Sequence, residues 1–506
     1  VNGTTGESPT THMEEKVELV QAVKEVVDVP VISGAGSNDT AHTVRMVEQT
    51  QEAGADAVLV VAPYYSRPSQ EGVFRHYKAV NDSADKPIID LAPPEELVFP
   101  LSQHIGAPSI PCVSVGDTVL VGQKIADANG FVSANLHSSV SGTVTAIEKR
   151  LVPNGTISDC IIIKNDGENR RAEPISGYTH DYTKLSPKQI IGIVKDAGIV
   201  GMGGAAFPTH VKLSVPDGAN IDHVIINGSE CEPYLTSDHR AMLETTKDII
   251  GGLKIIMHIF GLKDGYIGIE DNKPNAIEKM RNAAESEKAV NIHVVPLKTK
   301  YPQGAEKQLI YAICKRKLKP GTLPWQSGCI VNNIDTCASI FRAVTYGRPL
   351  CHRIVTVGGG AIKEEANYRV AIGTPFEYIA QKSGGFTQEV KKIIMGGPMM
   401  GKAVSSVDVP VIKGTSGILF LGDDEAYSMQ ETACIRCSKC VYVCPMNLQP
   451  NLLDSVARFK DYDKLKKLNI TDCIECGSCA YVCPSKRHQV QQIHTAKAII
   501  REKSKK

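Results

Sequence analysis

With 506 residues, 42% hydrophobic and 22% charged, the chain has the composition of a soluble globular protein of about three to five domains. Lys plus Arg (56) nearly cancels Asp plus Glu (55), so there is no global basic field to hold DNA or RNA, and nucleic acid is excluded as a partner. No segment approaches eighteen uninterrupted apolar residues; the stretch IIGGLKIIMHIFGL (249–262) is broken by Lys254 and His258, so neither a transmembrane helix nor a secretory signal is expected.

Residues 1–89 alternate helix and strand. Helices are expected at 14–27, 40–53 and 72–81, and strands at 29–36, 55–65 and 86–90, the pattern of a parallel α/β unit. VNGTTGES (1–8) and APYYSRPSQEG (62–72) resemble the catalytic and tyrosine loops of dihydrodipicolinate synthase, a Schiff-base lyase on a TIM barrel. The resemblance implies proton-relay and substrate-binding positions at Thr4, Thr5 and Tyr65, and it stops at Ile89. A barrel needs eight strands to close, and the imine needs a lysine on a later strand. Neither follows, so residues 1–89 read as a truncated, inactive fragment.

Residues 90–155 carry V-G-D-x-V-x-x-G-Q at one end and S-S-V-S-G-T-V at the other, separated by short strand-like runs. This resembles the barrel-sandwich of biotinyl and lipoyl carriers. The interval ADANGFVSANLH (126–137) has no lysine for a swinging arm, so the module is read as scaffold.

Residues 156–350 return to α/β alternation of Rossmann-like type. The helix PKQIIGIVKDAGI leads to GMGGAAFPTHVKL (201–213), strand HVIIN (223–227) and loop GSECEPYLTSDHRAM (228–242). Strands GYIGIE (265–270) and NIHVVPL (291–297) follow, then loop KTKYPQGAEKQ and VNNIDT (331–336). Gly201, Gly203 and Gly204 permit a sharp turn that presents N–H groups to a phosphate, with a helix dipole behind it. Residues 351–425 resemble a β-grasp ligand-binding module, in which VGGG (357–360) and IMGGPMMG (394–401) are expected to be hairpin and packing turns.

Residues 426–506 hold the most specific pattern. CIRCSKCVYVCP sets out Cys434, Cys437, Cys440 and Cys444, and CIECGSCAYVCP sets out Cys473, Cys476, Cys479 and Cys483, both as C-x2-C-x2-C-x3-C-P. Three thiolates of one tight loop converge on an iron–sulfur cube, and in this two-cluster run the fourth cysteine ligates the other cube. That assigns Cys434, Cys437, Cys440 and Cys483 to one 4Fe-4S cluster, and Cys473, Cys476, Cys479 and Cys444 to the second. Zinc takes four ligands, usually as two distant pairs, and has no use for the third cysteine of each run. Nothing indicates the oxidising compartment of a disulfide framework. The helical spacing of NLLDSVARFKDYDKLKKL (451–468) suggests an α-helical ferredoxin type.

In this order, GMGGAAFPTHVK, NGSECEP, YPQGAEKQ and VNNIDT resemble the flavin- and NADH-binding core of the complex I flavin subunit. From about residue 86 to 506, including PLSQHIGAP, the chain resembles the RnfC family, the C component of the Rnf ion-translocating electron transport complex. The resemblance implies FMN and NAD(H) beside the two clusters. Gly203, Gly204 and Lys212 would approach the flavin phosphate, with Gly201 opening the loop. Asn227, Ser229 and Glu230 would face the flavin ring and ribityl chain, and Asn332, Asn333 and Thr336 the far side. Phe207 would stack on nicotinamide or adenine, Glu232 and Glu306 would bond nucleotide hydroxyls or the amide, and Tyr301 and Gly304 would shape the floor. Met202 replaces the arginine of the complex I loop, and Ala305 replaces one acid of its G-E-E triplet.

The implied protein is a peripheral oxidoreductase subunit on the cytoplasmic side of the cell membrane, moving electrons between NADH, FMN and the clusters. Its partners would be the other subunits of the membrane complex, including a ferredoxin-like iron–sulfur subunit, with ferredoxin reached indirectly. Ion transport and membrane contact belong to those partners, and no side chain is required as general acid or base. Two other readings are a Schiff-base lyase from residues 1–89 and a non-catalytic ferredoxin-like adaptor.

Overall fold

The computed structural model describes residues 12–27, 29–37, 40–60, 87–319, 321–426 and 430–503. The chain divides into two compact units between Pro87 and Ile88.

In the first unit, helices α1 (Met13–Lys24) and α2 (Thr40–Glu52) pack with the parallel strands β1 (Ile32–Gly34) and β2 (Ala57–Leu59), in register Ile32↔Ala57. Val20, Val31, Ala35, Met46, Val47 and Ala53 are its buried apolar residues among those described. Asp56 ties the turn before β2 to the strand and helix, accepting from the Val31 amide at 2.7 Å and pairing with Lys24 at 2.9 Å. Thr4, Thr5, Tyr65 and the helix expected at 72–81 lie outside the described residues. The strand expected at 86–90 does not extend this sheet. It is β3 (Ile89–Asp90), which pairs with a strand of the second unit through Tyr368↔Ile89 and Arg369↔Asp90.

The second unit begins with seven short strands: β4 (Glu96–Pro100), β5 (Ile110–Pro111), β6 (Thr118–Val119), β7 (Lys124–Asp127), β8 (Leu136–His137), β9 (Gly142–Leu151) and β10 (Ile157–Asn165). They form two sheets, ordered β4-β10-β9-β6 and β5-β7-β8. Period-two alternation sends Leu97, Phe99, Ile161 and Ile163 into one core, while Val98 and Cys160 meet Val152 on the other face. The hairpin β9–β10 runs from Ile157↔Leu151 to Asn165↔Gly142, so the module continues past the boundary expected at 155.

After α3 (Pro187–Asp196), capped by Ser186, and the short α4 (Thr209–Leu213), the chain builds a parallel sheet. Its elements are β11 (His223–Gly228), α5 (Ser237–Glu244), α6 (Thr246–Phe260), β12 (Asp264–Glu270), α7 (Pro274–Glu285), β13 (Asn291–Leu297), α8 (Glu306–Cys314), β14 (Cys329–Asn333) and α9 (Ile334–Tyr346). The strand order β13-β12-β11-β14 reverses at β11, and such a switch point leaves a crevice beyond the strands' C-terminal ends. Helix α6, the apolar stretch of the sequence, is a core helix. A side chain at Gly252 would meet the Cys337 carbonyl at 1.9 Å, so that glycine permits the close approach of α6 to α9. Lys254 and His258 are satisfied locally, by Glu287 at 2.6 Å and by the Leu185 carbonyl at 3.1 Å.

A mixed sheet follows, of β15 (His352–Gly358), β16 (Ala366–Ala371), β17 (Lys392–Met395), β18 (Lys402–Val404) and β19 (Gly417–Leu421), ordered β18-β17-β19-β15-β16-β3. Helix α10 (Phe376–Lys382) shares its core through Phe376 and Ile379. The C-terminal module is helical over its described residues: α11 (Lys439–Tyr442), α12 (Pro450–Arg458), α13 (Tyr462–Lys467), α14 (Ser478–Tyr481) and α15 (Gln489–Lys503). Leu453, Leu465, Ile470 and Ile493 form its centre.

Candidate functional site

The switch point places three loops together. The pairing Ile226↔Asn332 and Asn227↔Asn333 sets the ends of β11 and β14 side by side. The glycine loop arrives over them: a side chain at Gly203 would meet the Asn333 Cβ at 3.6 Å. The loop is closed by Gly201 N–H donating to the Phe207 carbonyl at 2.8 Å, and Gly204, at φ +103°, takes a conformation that favours glycine. Thr336 holds it from below, its hydroxyl accepting from the Met202 amide at 2.9 Å.

Opposite, Asn227 Nδ2 donates to the Gly304 carbonyl at 2.9 Å, and Cys231 Sγ accepts from the Gly304 amide at 3.3 Å. Lys212 Nζ reaches Glu306 at 3.0 Å and the Val331 carbonyl at 2.9 Å, one residue before Asn332. Glu232 meets the Tyr301 hydroxyl at 3.3 Å and accepts from the Met399 amide at 3.0 Å. Burial raises the Glu232 carboxyl above its ordinary pKa.

These loops fit a polar ligand. Ser229 Oγ, Asn332 Nδ2 and Gln303 Oε1 are buried without a hydrogen-bond partner, one on each of the three strand and loop ends that define the crevice. Buried polar groups are ordinarily paired, so three orphans beside one crevice mark donors and acceptors set aside for something bound.

Two expected roles differ. Glu230 does not present a free carboxylate: Oε1 accepts from the Asp238 amide at 2.7 Å and Oε2 from the His239 amide at 3.0 Å, capping the first turn of α5. Its backbone takes φ 46° to do so. The helix dipole expected behind the glycine loop is slight, because α4 has only five residues.

Residues that the sequence left without a role also shape the crevice. Arg353, buried on β15, pairs with Asp335 and donates to the Met202 carbonyl at 3.2 Å, bracing the glycine loop. The packing turn 394–401 lies on the Glu232 carboxylate: a side chain at Gly397 would come within 2.2 Å of Oε2. Its run of glycines was the available signal. For Arg353, one arginine in a strand, the sequence offered none.

The eight cysteines line two separate cavities. Cys444, Cys473, Cys476 and Cys479 line one, and Cys434, Cys437, Cys440 and Cys483 line the other. In each, three cysteines of one run meet the fourth of the other. The two loops have the same backbone: Arg436, Ser438 and Asn447 take positive φ, and so do their counterparts Glu475, Gly477 and Lys486. Burial, then the neighbouring Cys473 and Cys476, push the Cys479 thiol up to about 12. Sulfurs crowded this way suit a cationic centre, which reverses that penalty. Among the described residues no group of three or more His, Cys, Asp or Glu is arranged to hold a single metal ion. The cysteine spacing suits an iron–sulfur core.

The first of these cavities abuts the crevice. Tyr301 donates its hydroxyl to the Cys476 carbonyl at 2.6 Å, and Gln308 Nε2 reaches the Pro445 carbonyl at 3.1 Å. A side chain at Gly477 would touch the Met399 carbonyl at 2.7 Å.

Comparison with known proteins gives four domain matches. They are the dihydrodipicolinate synthetase family over residues 1–94, the RnfC barrel sandwich hybrid domain over 70–168, the Nuo51 FMN-binding domain over 194–342 and the 4Fe-4S dicluster domain over 433–487. The chain is 46% identical over 386 residues to the C component of a proton-translocating ferredoxin:NAD(+) oxidoreductase complex of Clostridium ljungdahlii, covering 76% of this chain and 83% of that protein. It is 44% identical to the Na(+)-translocating counterpart of Acetobacterium woodii, covering 80% and 91% respectively. It is 41% identical to the C component of an ion-translocating oxidoreductase complex of Rhodobacter capsulatus, covering 74% and 72%.

Proposed function

Because the chain belongs to the RnfC family, the C components of ion-translocating ferredoxin:NAD(+) oxidoreductase complexes, we propose that its crevice and two cavities form one electron path, from NADH at the β11–β14 switch point to the C-terminal surface. The protein is an oxidoreductase component with an FMN-binding domain and a 4Fe-4S dicluster domain. When bound, the flavin takes the two electrons of a hydride and releases them singly, and each cluster carries one.

The side chains act by binding and orientation. The glycine loop, Lys212, Ser229 and Asn332 would hold the flavin; Asn227 and Thr336 fix the loops around it. Glu232, Tyr301 and Gly304 form the floor on which NAD(H) would lie, with Phe207 and Glu306 at its edge. The Glu230 carboxylate contributes through the α5 cap. Cys444, Cys473, Cys476 and Cys479 would bind the cluster next to the crevice, and Cys434, Cys437, Cys440 and Cys483 the outer one. We read the mixed sheet with α10 as the β-grasp-like module between them, and divide the unit at about residues 165, 350 and 425.

The observation that most supports this reading is the 2.6 Å hydrogen bond from Tyr301, on the crevice floor, to the Cys476 carbonyl in the wall of a four-cysteine cavity. It joins the crevice floor to the cavity wall, as an electron path from flavin to cluster would require.

Among the described residues no helix is long and apolar enough to cross a membrane. The other subunits of the complex supply ion transport, and we place this chain at the cytoplasmic face against them, with a ferredoxin-like iron–sulfur subunit as its electron partner. Counting cofactors tests the reading. Anaerobically purified protein should contain about eight irons and one flavin per chain. Zinc in place of iron, or absence of flavin, contradicts it. Borohydride with pyruvate should label no lysine, whereas a labelled lysine would restore lyase activity to residues 1–89.

A further inference from the structure

The two cavities differ in what lies over them. The one with Cys476 is covered by the crevice loops, while Cys434 and Cys437 of the other are exposed. Ile435 and Arg436 lie between those two cysteines in the chain, and Ile435 is 67% exposed; on the adjoining helices α11 and α14, which pack against each other, Tyr442 is 86% exposed and Tyr481 76%. Both tyrosines sit two residues before a fourth cysteine, on the short helices α11 and α14. Exposed apolar groups so placed, where packing within the chain would have hidden them, mark a contact surface.

Charge gives that surface a sign. Segments 433–443 and 481–488 contain no Asp or Glu. They carry exposed Arg436, Lys439 and Lys486, none in an ion pair with a described residue. The nearest acid in sequence, Glu431, is taken up by Arg458 at 2.5 Å. By contrast the covered loop has Glu475, neutralised by Lys497 at 2.5 Å. An apolar centre ringed by unpaired cations is complementary to a partner with acidic side chains around an exposed redox centre.

We propose that the face formed by Ile435, Arg436, Lys439, Tyr442 and Tyr481 is the docking site for an acidic iron–sulfur protein. One electron passes there between the partner's cluster and the Cys434/Cys437/Cys440/Cys483 centre, one cluster being oxidised as the other is reduced. This rests on the reading that the cavities hold 4Fe-4S clusters.

The test uses the full chain with its cofactors and a purified acidic two-cluster ferredoxin, reduced with titanium(III) citrate, as probe. NADH formation from NAD+ is followed at low ferredoxin concentration. The double variant Arg436→Glu, Lys439→Glu should lower kcat/KM for ferredoxin about tenfold and flatten its salt dependence. Tyr442→Ser with Tyr481→Ser should lower it at every salt concentration. Lys288→Glu, at an exposed position on the nucleotide module, should leave it unchanged, and iron content and NADH:menadione activity should be unaltered in all variants. Full iron content with a ferredoxin rate indifferent to charge reversal, or equally reduced by Lys288→Glu, overturns the docking site alone. A chain without iron overturns the cluster reading and the proposal with it.

Discussion

The two cysteine loops have the same spacing and the same backbone conformation, yet they occupy different surroundings. Around Cys473 and Cys476 the sulfurs are supplied with donors: the Glu475 amide approaches Cys473 Sγ at 3.4 Å and the Leu448 amide approaches Cys444 Sγ at 3.3 Å. Tyr301 closes the outside. Around Cys434 and Cys437 no such donor occurs among the described residues, and solvent reaches the loop. Burial and hydrogen bonds to sulfur set a cluster's potential. Ligand identity is therefore written twice in the chain, while the role of each cluster is set by what folds against it.

The largest test of that contrast is to remove one fourth cysteine at a time. Cys444→Ser should abolish reduction of both clusters by NADH, because in the path proposed above the covered cluster lies between the crevice and the outer one. Cys483→Ser should leave the covered cluster reducible. Low-temperature EPR after NADH distinguishes them, and identical behaviour of the two variants would break the comparison.

Damage to the crevice should affect both clusters alike. Arg353→Leu leaves Asp335 buried without its partner, a loss of about 3–5 kcal/mol. Flavin should dissociate while iron content holds, as read by fluorescence of released flavin.

A smaller common effect comes from Lys413. Its ammonium is buried between the Asn135 and Gly198 carbonyls, each at 2.6 Å, and burial lowers its pKa from 10.5 to about 7. Between those values the unfolded chain holds a proton that the folded chain lacks, so stability climbs with pH over that window. The slope is at most about 1.4 kcal/mol per pH unit. Denaturation from pH 7 to 10 should show the climb, and Lys413→Met should flatten it without altering the difference between the clusters.

The smallest effect sharpens the contrast most. Tyr301→Phe removes one donor near the covered cluster alone, worth about 1 kcal/mol, or no more than ~40 mV for one electron. Potentiometric titration should show that cluster moving to lower potential and the outer cluster unmoved.

Much of this was legible in the sequence because the relevant constraints are local. Cysteine steps of three and four residues, glycines at a turn, and apolar period two in β4 and β10 act over a few residues. What escaped depends on distant chain segments. The strand at 89–90 looked like a continuation of the α/β unit before it, but its partner is 279 residues away, where Asp90 pairs with Arg369. Glu230 reads as a ligand until the amides of α5 are seen to occupy it. Arg353 and Met399 gain their meaning only when the mixed sheet docks on the glycine loop and on Glu232.

In the path proposed above, hydride electrons entering at the β11–β14 crevice reach the outer cluster through the covered one. An anaerobic NADH titration of the holoprotein, monitored by absorbance and low-temperature EPR, tests it most directly. Flavin should bleach first, followed by signals from two interacting 4Fe-4S clusters. Bleaching with both clusters remaining oxidised in the presence of a low-potential NADH-regenerating system would contradict it.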